Sequence, residues 1–294
     1  MFLLANIYSA SAIFFRIKPA QNSYRSIKRA VLFISFLVLS IQSYSQILTK
    51  DSVLQLLDNS PNFTINKDNY FITGIPMNHN PTKYNSDVKF QISFRHRVTD
   101  TQLPFDTYLF LTYTQKSFWD IYQQSKPFAE NNYNPGVGLG RLFFNGDKLA
   151  GAGAISLQHE SNGRDSIYSR SWNRVSVHYS AILSPKVILS LTAWLPFSYG
   201  DNADLLDYIG IGEVGINWEI IKDKLIFDAI GRKGTGLDWR GSLQTNLSYK
   251  IGKSNQFLML QCFTGYAENL VDYQVKTYMI RAGLVIKPSK FIFY

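Results

Sequence analysis

The chain has one cysteine in 294 residues, Cys262, so no intramolecular disulfide holds its fold. Cys262 lies in the apolar stretch QFLMLQCFTGYA and reads as a packing residue. After residue 45 there is no long apolar run, which rules out membrane-spanning helices in the body of the chain. Internal repeats beyond a hairpin period, and low-complexity tracts, are also missing. A concentrated basic patch, the footprint of a nucleic-acid partner, is absent as well. The formal net charge of +9 misleads on that point. Residues 1–45 hold five basic residues (Arg16, Lys18, Arg25, Lys28 and Arg29) and no acidic one, which leaves 25 basic against 21 acidic residues and a net +4 beyond them.

Aromatic and alternating sequence is abundant. Leu243, Thr245, Leu247, Tyr249 and Ile251 alternate with Gln244, Asn246, Ser248 and Lys250. Val88, Phe90, Ile92 and Phe94 alternate with Lys89, Gln91, Ser93, Arg95 and Arg97. Successive residues of a strand face opposite sides, so each segment has one apolar and one polar face. Segments of about ten residues with this pattern are the signature of outer-membrane strands. The 18 Tyr and 21 Phe suit aromatic girdles at both membrane interfaces. Lys89, Arg95, Arg97 and Arg174 are expected to make a plugged polar interior with carboxylates such as Glu213.

The start of the chain points to export. Lys28 and Arg29 precede AVLFISFLVLSI, and Gln42-Ser43-Tyr44-Ser45 supplies small and polar residues for cleavage before Gln46, so 1–45 reads as a signal peptide. Residues 46–69 form a lead, with helical turns in SVLQLLDN on the periplasmic side, and 70–294 form the barrel domain. Twelve strands are expected, near 70–76, 88–98, 107–119, 133–144, 149–161, 170–183, 187–197, 209–220, 224–233, 239–251, 256–267 and 275–287. An even number fits a closed antiparallel transmembrane β-barrel. Tight turns at Asn145-Gly146, Ser184-Pro185 and Lys222-Asp223 alternate with longer loops, and short turns normally face the periplasm. The terminal Phe291-Ile292-Phe293-Tyr294 fits an outer-membrane assembly signal.

The stretch QHESNGRDSIYSRSWNR, Gln158 to Arg174, carries the chemistry. His159 and Ser161 are two residues apart and share a strand face with Ile155 and Leu157. Asn173 falls in register with Val175 and Val177 on the next strand. A serine becomes a nucleophile when a neighbouring base takes its proton and a third group orients that base. In a soluble sandwich this apolar face would be a closed core. In a membrane barrel it meets lipid, and lipid would be the substrate. The plainer reading is a structural role at the barrel rim, since Ser and Asn are common at strand ends. Of the other histidines, His178 looks lumen-facing, His96 interfacial, and His79 lies in a loop.

From about Ser52 to the C-terminus the chain closely resembles the outer-membrane phospholipase A family of Gram-negative bacteria, calcium-dependent serine esterases on a twelve-stranded barrel. The resemblance is carried by YTQKSFW (Tyr113–Trp119), PFAENNYNP (Pro127–Pro135), HESNGR (His159–Arg164), SRSWNR (Ser169–Arg174) and GYAENLVDY (Gly265–Tyr273). It implies Ser161 as nucleophile, His159 as general base and later acid, and Asn173 as the residue that orients the imidazole. It implies calcium near the oxyanion at Arg164 and Ser169, partly through main-chain oxygens, and at Ser125. In the family the Ser125 position reaches the partner's site, so a homodimer is implied, with Gln115 at its interface. One departure stands out: Asp165 and Ser166 follow Arg164 where some members carry an aspartate two residues past the arginine, which puts a second calcium site in doubt. The alternatives at this point are a non-catalytic outer-membrane channel or adhesin barrel, and a soluble lipid-binding β-sandwich.

Overall fold

The structure is a computed structural model that describes residues 49–288. The expected leader at 1–45 and the terminal Phe291–Tyr294 lie outside the described residues. Helix α1 (Lys50–Asp58) is capped by Thr49, whose hydroxyl accepts from the Ser52 amide. It is followed by β1 (Phe63–Ile65), β2 (Asn69–Pro76), β3 (Asp87–Arg97), β4 (Thr107–Trp119) and β5 (Phe128–Asn145). Next come β6 (Lys148–Ser161), β7 (Ser171–Ser184), β8 (Val187–Phe197), β9 (Gly212–Ile221) and β10 (Leu225–Lys233). The last are β11 (Gly241–Lys250), β12 (Gln256–Gly265) and β13 (Thr277–Ile286).

Every neighbour from β2 to β13 is antiparallel, and the ring shuts where β13 pairs with β2 and β3 with β4. Strand β1 adds no stave. Phe63 lies opposite His96 of β3 and Tyr70 of β2 opposite Gln91, so β1 continues β2 along the same edge after a short break. The barrel therefore has twelve staves, as the alternation predicts. Closure matters because hydrocarbon offers no partner for an unpaired amide or carbonyl.

The pattern misplaces a few boundaries. The wall begins at Asn69, with β1 inside the stretch expected to be lead. Strand β5 starts at Phe128, not 133, and pairs with β4 as far as Trp119. Glu130, Asn131 and Asn132 give that segment polar residues on both faces, so alternation cannot reveal it. Residues 209–211 end a short helix, α2 (Leu206–Ile209), and a turn instead of opening β9.

Parity sorts the side chains as read. Ile92, Ile155, Leu157, Val177, Leu258 and Leu284 project outward and are exposed. An apolar belt on that scale suits hydrocarbon and not water. Inside, ion pairs and apolar clusters fill the lumen. Lys89 and Arg281 both contact Glu268, at 2.9 and 2.7 Å, and Arg281 also contacts Asp87 at 2.7 Å. Lys287 pairs with Asp68 and Asp228, and Arg232 with Glu213. Arg97 departs from the expectation of a carboxylate partner: it donates to the Leu57 carbonyl and to Asn62 Oδ1, tying down the end of α1. The end of the barrel with the tight turns also holds Tyr70, Ile72, Phe257, Met259 and Val285 as one apolar cluster.

The opposite end is capped by two loops, 198–211 and 266–276. Leu205, Ile209, Ala267, Leu270 and Tyr273 pack there against Trp172 and Trp194. Asp204 joins the cap through Tyr273 and Gln274. Burial pushes the Asp204 carboxyl up, but these hydrogen bonds more than offset it and hold the group below the usual carboxylate range.

Glu268 neutralises two cations that are each about 2% exposed or less. Glu268→Ala is therefore expected to destabilise the barrel by roughly 3–5 kcal/mol, the usual cost of leaving a buried charge unpaired. Glu268→Gln should cost less. Denaturant unfolding in detergent, followed by tryptophan fluorescence, measures the difference.

Candidate active site

The expected nucleophile, base and orienting residue lie on two adjacent strands. In the β6–β7 ladder His159 stands directly opposite Asn173, and Ser161 opposite Ser171. His159 Nδ1 is 2.9 Å from Asn173 Oδ1. The amide oxygen only accepts, so Nδ1 carries the proton and Nε2 keeps its lone pair in the neutral ring. That tautomer is the one a general base requires. Ser161, two residues further along β6, projects from the same outward face. All three are partly exposed at the loop end of the belt formed by Ile155, Leu157 and Val177.

The lumen face of the same strands holds them in register. Arg174 donates to Glu160 and Gln158, each at 2.8 Å, and Ser176 donates to the same Gln158 oxygen at 3.2 Å. The Arg174 guanidinium also lies 4.2 Å from the centre of the Trp172 ring. A one-residue slip between β6 and β7 would break this clamp and turn His159 into the lumen.

After Ser161 the chain enters the 162–170 loop, which is built around buried Asn162. Its Oδ1 accepts from the amides of Arg164 and Arg170, and its Nδ2 donates to the Tyr168 carbonyl at 2.8 Å. Gly163 has φ +67°, a left-handed conformation that favours glycine, and a Cβ there would press on the Tyr133 ring at 3.0 Å. Arg170 Nη1 donates to the carbonyls of Ile167 and Ser169 at 2.9 and 2.8 Å. Two main-chain oxygens of this turn thus already converge on a positive charge. The Arg164 side chain donates to the Ala129 carbonyl and pairs with Glu130 at 3.2 Å.

Among the described residues no cluster of three or more His, Cys, Asp or Glu could hold a metal. The donors expected for calcium are hydroxyl and main-chain oxygens, which form no such cluster. Those oxygens suit a hard cation. Ser125 is exposed on a separate connection, 120–127, at the same end of the barrel. Gln115 faces outward and is satisfied within its own barrel, accepting from Tyr113 Oη at 3.2 Å and donating to Ser117 Oγ at 3.1 Å. His178 faces the lumen between Thr192 and Ser180, as a network residue would. Arg174 is paired with a carboxylate as expected, but with Glu160; the residues that sequence reasoning missed are Asn162 and Glu130. Their only advance signal is polar chemistry on the inward parity.

Comparison with known proteins agrees with this fold. The family model described as Phospholipase A1 matches residues 49–286. Phospholipase A1 of Salmonella typhimurium (strain LT2) is 29% identical over 209 residues, covering 68% of this chain and 69% of that protein. Phospholipase A1 of Escherichia coli (strain K12) is 29% identical over 206 residues, with the same coverage. The solved outer membrane phospholipase A from Escherichia coli superimposes with a TM-score of 0.69 at 26% identity, over 76% of this chain and 98% of that one. The outer membrane phospholipase dimer with bound calcium from Salmonella typhi gives a TM-score of 0.70 at 25% identity, over 83% of this chain and 99% of that one.

The Asn173 contact makes a spectroscopic prediction. Nitrogen-15 shifts of His159 in the wild type should report a proton fixed on Nδ1. In Asn173→Ala they should report a mixture of tautomers, with the other three histidines unchanged.

Proposed function

Because the chain belongs to the phospholipase A1 family, and its barrel to the bacterial outer membrane, we propose that it cleaves phospholipid acyl esters through Ser161, His159 and Asn173. One observation carries this reading: His159 Nδ1 stands 2.9 Å from Asn173 Oδ1, which leaves Nε2 for base duty, on the outward strand face that His159 shares with Ser161. A phospholipid diffusing along the outer wall meets the pair from the side. Ser161 Oγ attacks the ester carbonyl carbon while His159 Nε2 takes its proton. The imidazolium then returns that proton to the departing alcohol oxygen of the lipid. Water, deprotonated by the same nitrogen, hydrolyses the acyl-serine and releases a fatty acid.

Asn173 is neutral, so it fixes the ring but stabilises the imidazolium less than a carboxylate would. This weakness favours a second source of positive charge near the developing oxyanion. The Arg164 and Ser169 oxygens, with Ser125 from a partner, would hold calcium there. Bound calcium would supply Lewis-acid stabilisation of that charge. Of those oxygens, the Ser169 carbonyl already faces a cationic group, the Arg170 guanidinium, whose place beside it calcium would take. The calcium-bound dimer from Salmonella typhi supports a homodimer. Gln115 is assigned to its interface, where its amide could exchange Tyr113 and Ser117 for a partner. Both acyl positions and lysophospholipids are within the proposed range. We also assign 1–45 as a removed signal peptide, 46–69 as a periplasmic lead whose end, from β1 on, joins the barrel edge, and 70–294 as the catalytic barrel. The lumen, filled by ion pairs and apolar clusters, favours this reading over a channel.

Phospholipid hydrolysis by refolded protein tests it. Ser161→Ala and His159→Ala should each lower the rate by about a thousandfold or more, with heat-modifiable gel mobility intact. Asn173→Ala should leave a weakened but measurable enzyme. Chelation with EDTA should silence the wild type, and added calcium should restore it. Full activity in EDTA would remove calcium from the mechanism.

A further inference from the structure

Three sequence blocks meet at one carboxylate. Glu130, from PFAENNYNP, is 1% exposed and lies on the inward face of β5. Its Oε1 accepts from Asn132 Nδ2 at 2.9 Å and from the Val271 amide at 3.2 Å. The neighbouring Leu270 amide donates to Asn132 Oδ1 at 3.2 Å, so two consecutive residues of GYAENLVDY are fixed to β5. Its Oε2 faces Arg164 Nε, from HESNGR, at 3.2 Å. Glu130 is therefore tied at once to the cap loop 266–276 and to the loop that follows the candidate nucleophile. Neither the proposed chemistry nor the lumen plug uses this group.

We infer that Glu130 is a positioning residue for calcium: it holds Arg164 through its side chain so that the main chain of 162–170 is set for the metal before the metal arrives. The physical basis is pre-organisation. A site made of neutral oxygens has little charge with which to draw a divalent cation. Its affinity then depends on how much of the loop must be ordered on binding. Asn162 fixes the two ends of that loop. Between them, the Arg164 side chain is fastened to β5, through the Ala129 carbonyl and Glu130. The cap enters the same device through Leu270 and Val271. Loosening the cap should loosen the metal loop.

This inference rests on the calcium reading above, and terbium luminescence separates the two. Terbium binds calcium sites and is sensitised by nearby rings such as Tyr168 and Trp172. The wild type should bind terbium and release it to excess calcium. Failure to do so would overturn the calcium reading itself. Given wild-type binding, Glu130→Gln keeps an acceptor for Asn132 and Val271 but loses the charge facing Arg164. It should raise the half-saturating concentration of terbium, and of calcium in the hydrolysis assay, by about tenfold. The rate at saturating calcium should fall less than about twofold. Arg164→Met should raise half-saturation by a similar factor, and the double variant should be no worse than either single one. Heat-modifiable mobility reports whether each barrel has folded. Unchanged half-saturation in a folded Glu130→Gln, or additive effects in the double variant, would overturn the role assigned to Glu130. So would a fall in the saturated rate at wild-type affinity.

Discussion

A sheet surrounded by hydrocarbon has to close, and closing it fixes which way every side chain points. The β13–β2 and β3–β4 ladders complete the ring. Once they form, no strand can slip by one residue without turning its apolar face into the lumen and its charges into lipid. The active-site geometry follows from this constraint. His159 meets Asn173 because their strands are in the register that buries Arg174 beside Glu160 and Gln158. The clamp on the inside and the imidazole on the outside are two consequences of one pairing.

This arrangement divides the wall's labour by parity. Inward residues supply rigidity: Lys89, Arg281 and Glu268 form a buried charge cluster that couples β3, β13 and the 266–276 loop. Outward residues meet the membrane. The proposed catalytic pair on the outward face needs no pocket, because the bilayer presents the substrate in two dimensions and already oriented. On the proposed mechanism, that is how a hydrolase can carry its nucleophile, Ser161, on the outer wall instead of in a cleft. It also makes the lipid-facing hydroxyls and amides near Ser161 costly unless paired. Gln115, Ser117 and Asn131 meet that need by bonding along and across β4 and β5.

Most of the barrel was legible because one rule, period-two alternation, governs nearly every stave. Leu243 to Ile251 and Val88 to Arg97 announced their faces directly. The placement of the candidate site was legible for the same reason, since His159, Ser161 and Asn173 continue apolar faces that reach the rim. The sequence reading failed where alternation carries no information. The start of β5 is polar on both sides, and β1 follows a break in the pattern. Pairing across the lumen was equally hidden. Nothing local to Lys89 says that its partner is Glu268, 179 residues away on a loop that folds inward. Arg97 shows the converse, a lumen arginine whose partners turned out to be a helix carbonyl and an asparagine.

The neutral orienting residue has a consequence that reaches beyond the triad. A carboxylate facing an imidazole at the edge of a bilayer would leave a charge to be solvated whenever substrate expelled water. Asn173 avoids that cost and gives up stabilisation of the imidazolium in exchange. On the proposed mechanism the missing stabilisation comes from a cation held by neutral oxygens, and such a site binds weakly until its loop is ordered. Activity then depends on conditions that bring the cation and the loop together, including a second copy of the chain. An enzyme embedded in the membrane it can degrade gains from that dependence. On the proposed mechanism Ser161 has no cleft to shield it, so incomplete charge stabilisation supplies a restraint that restricted access does not.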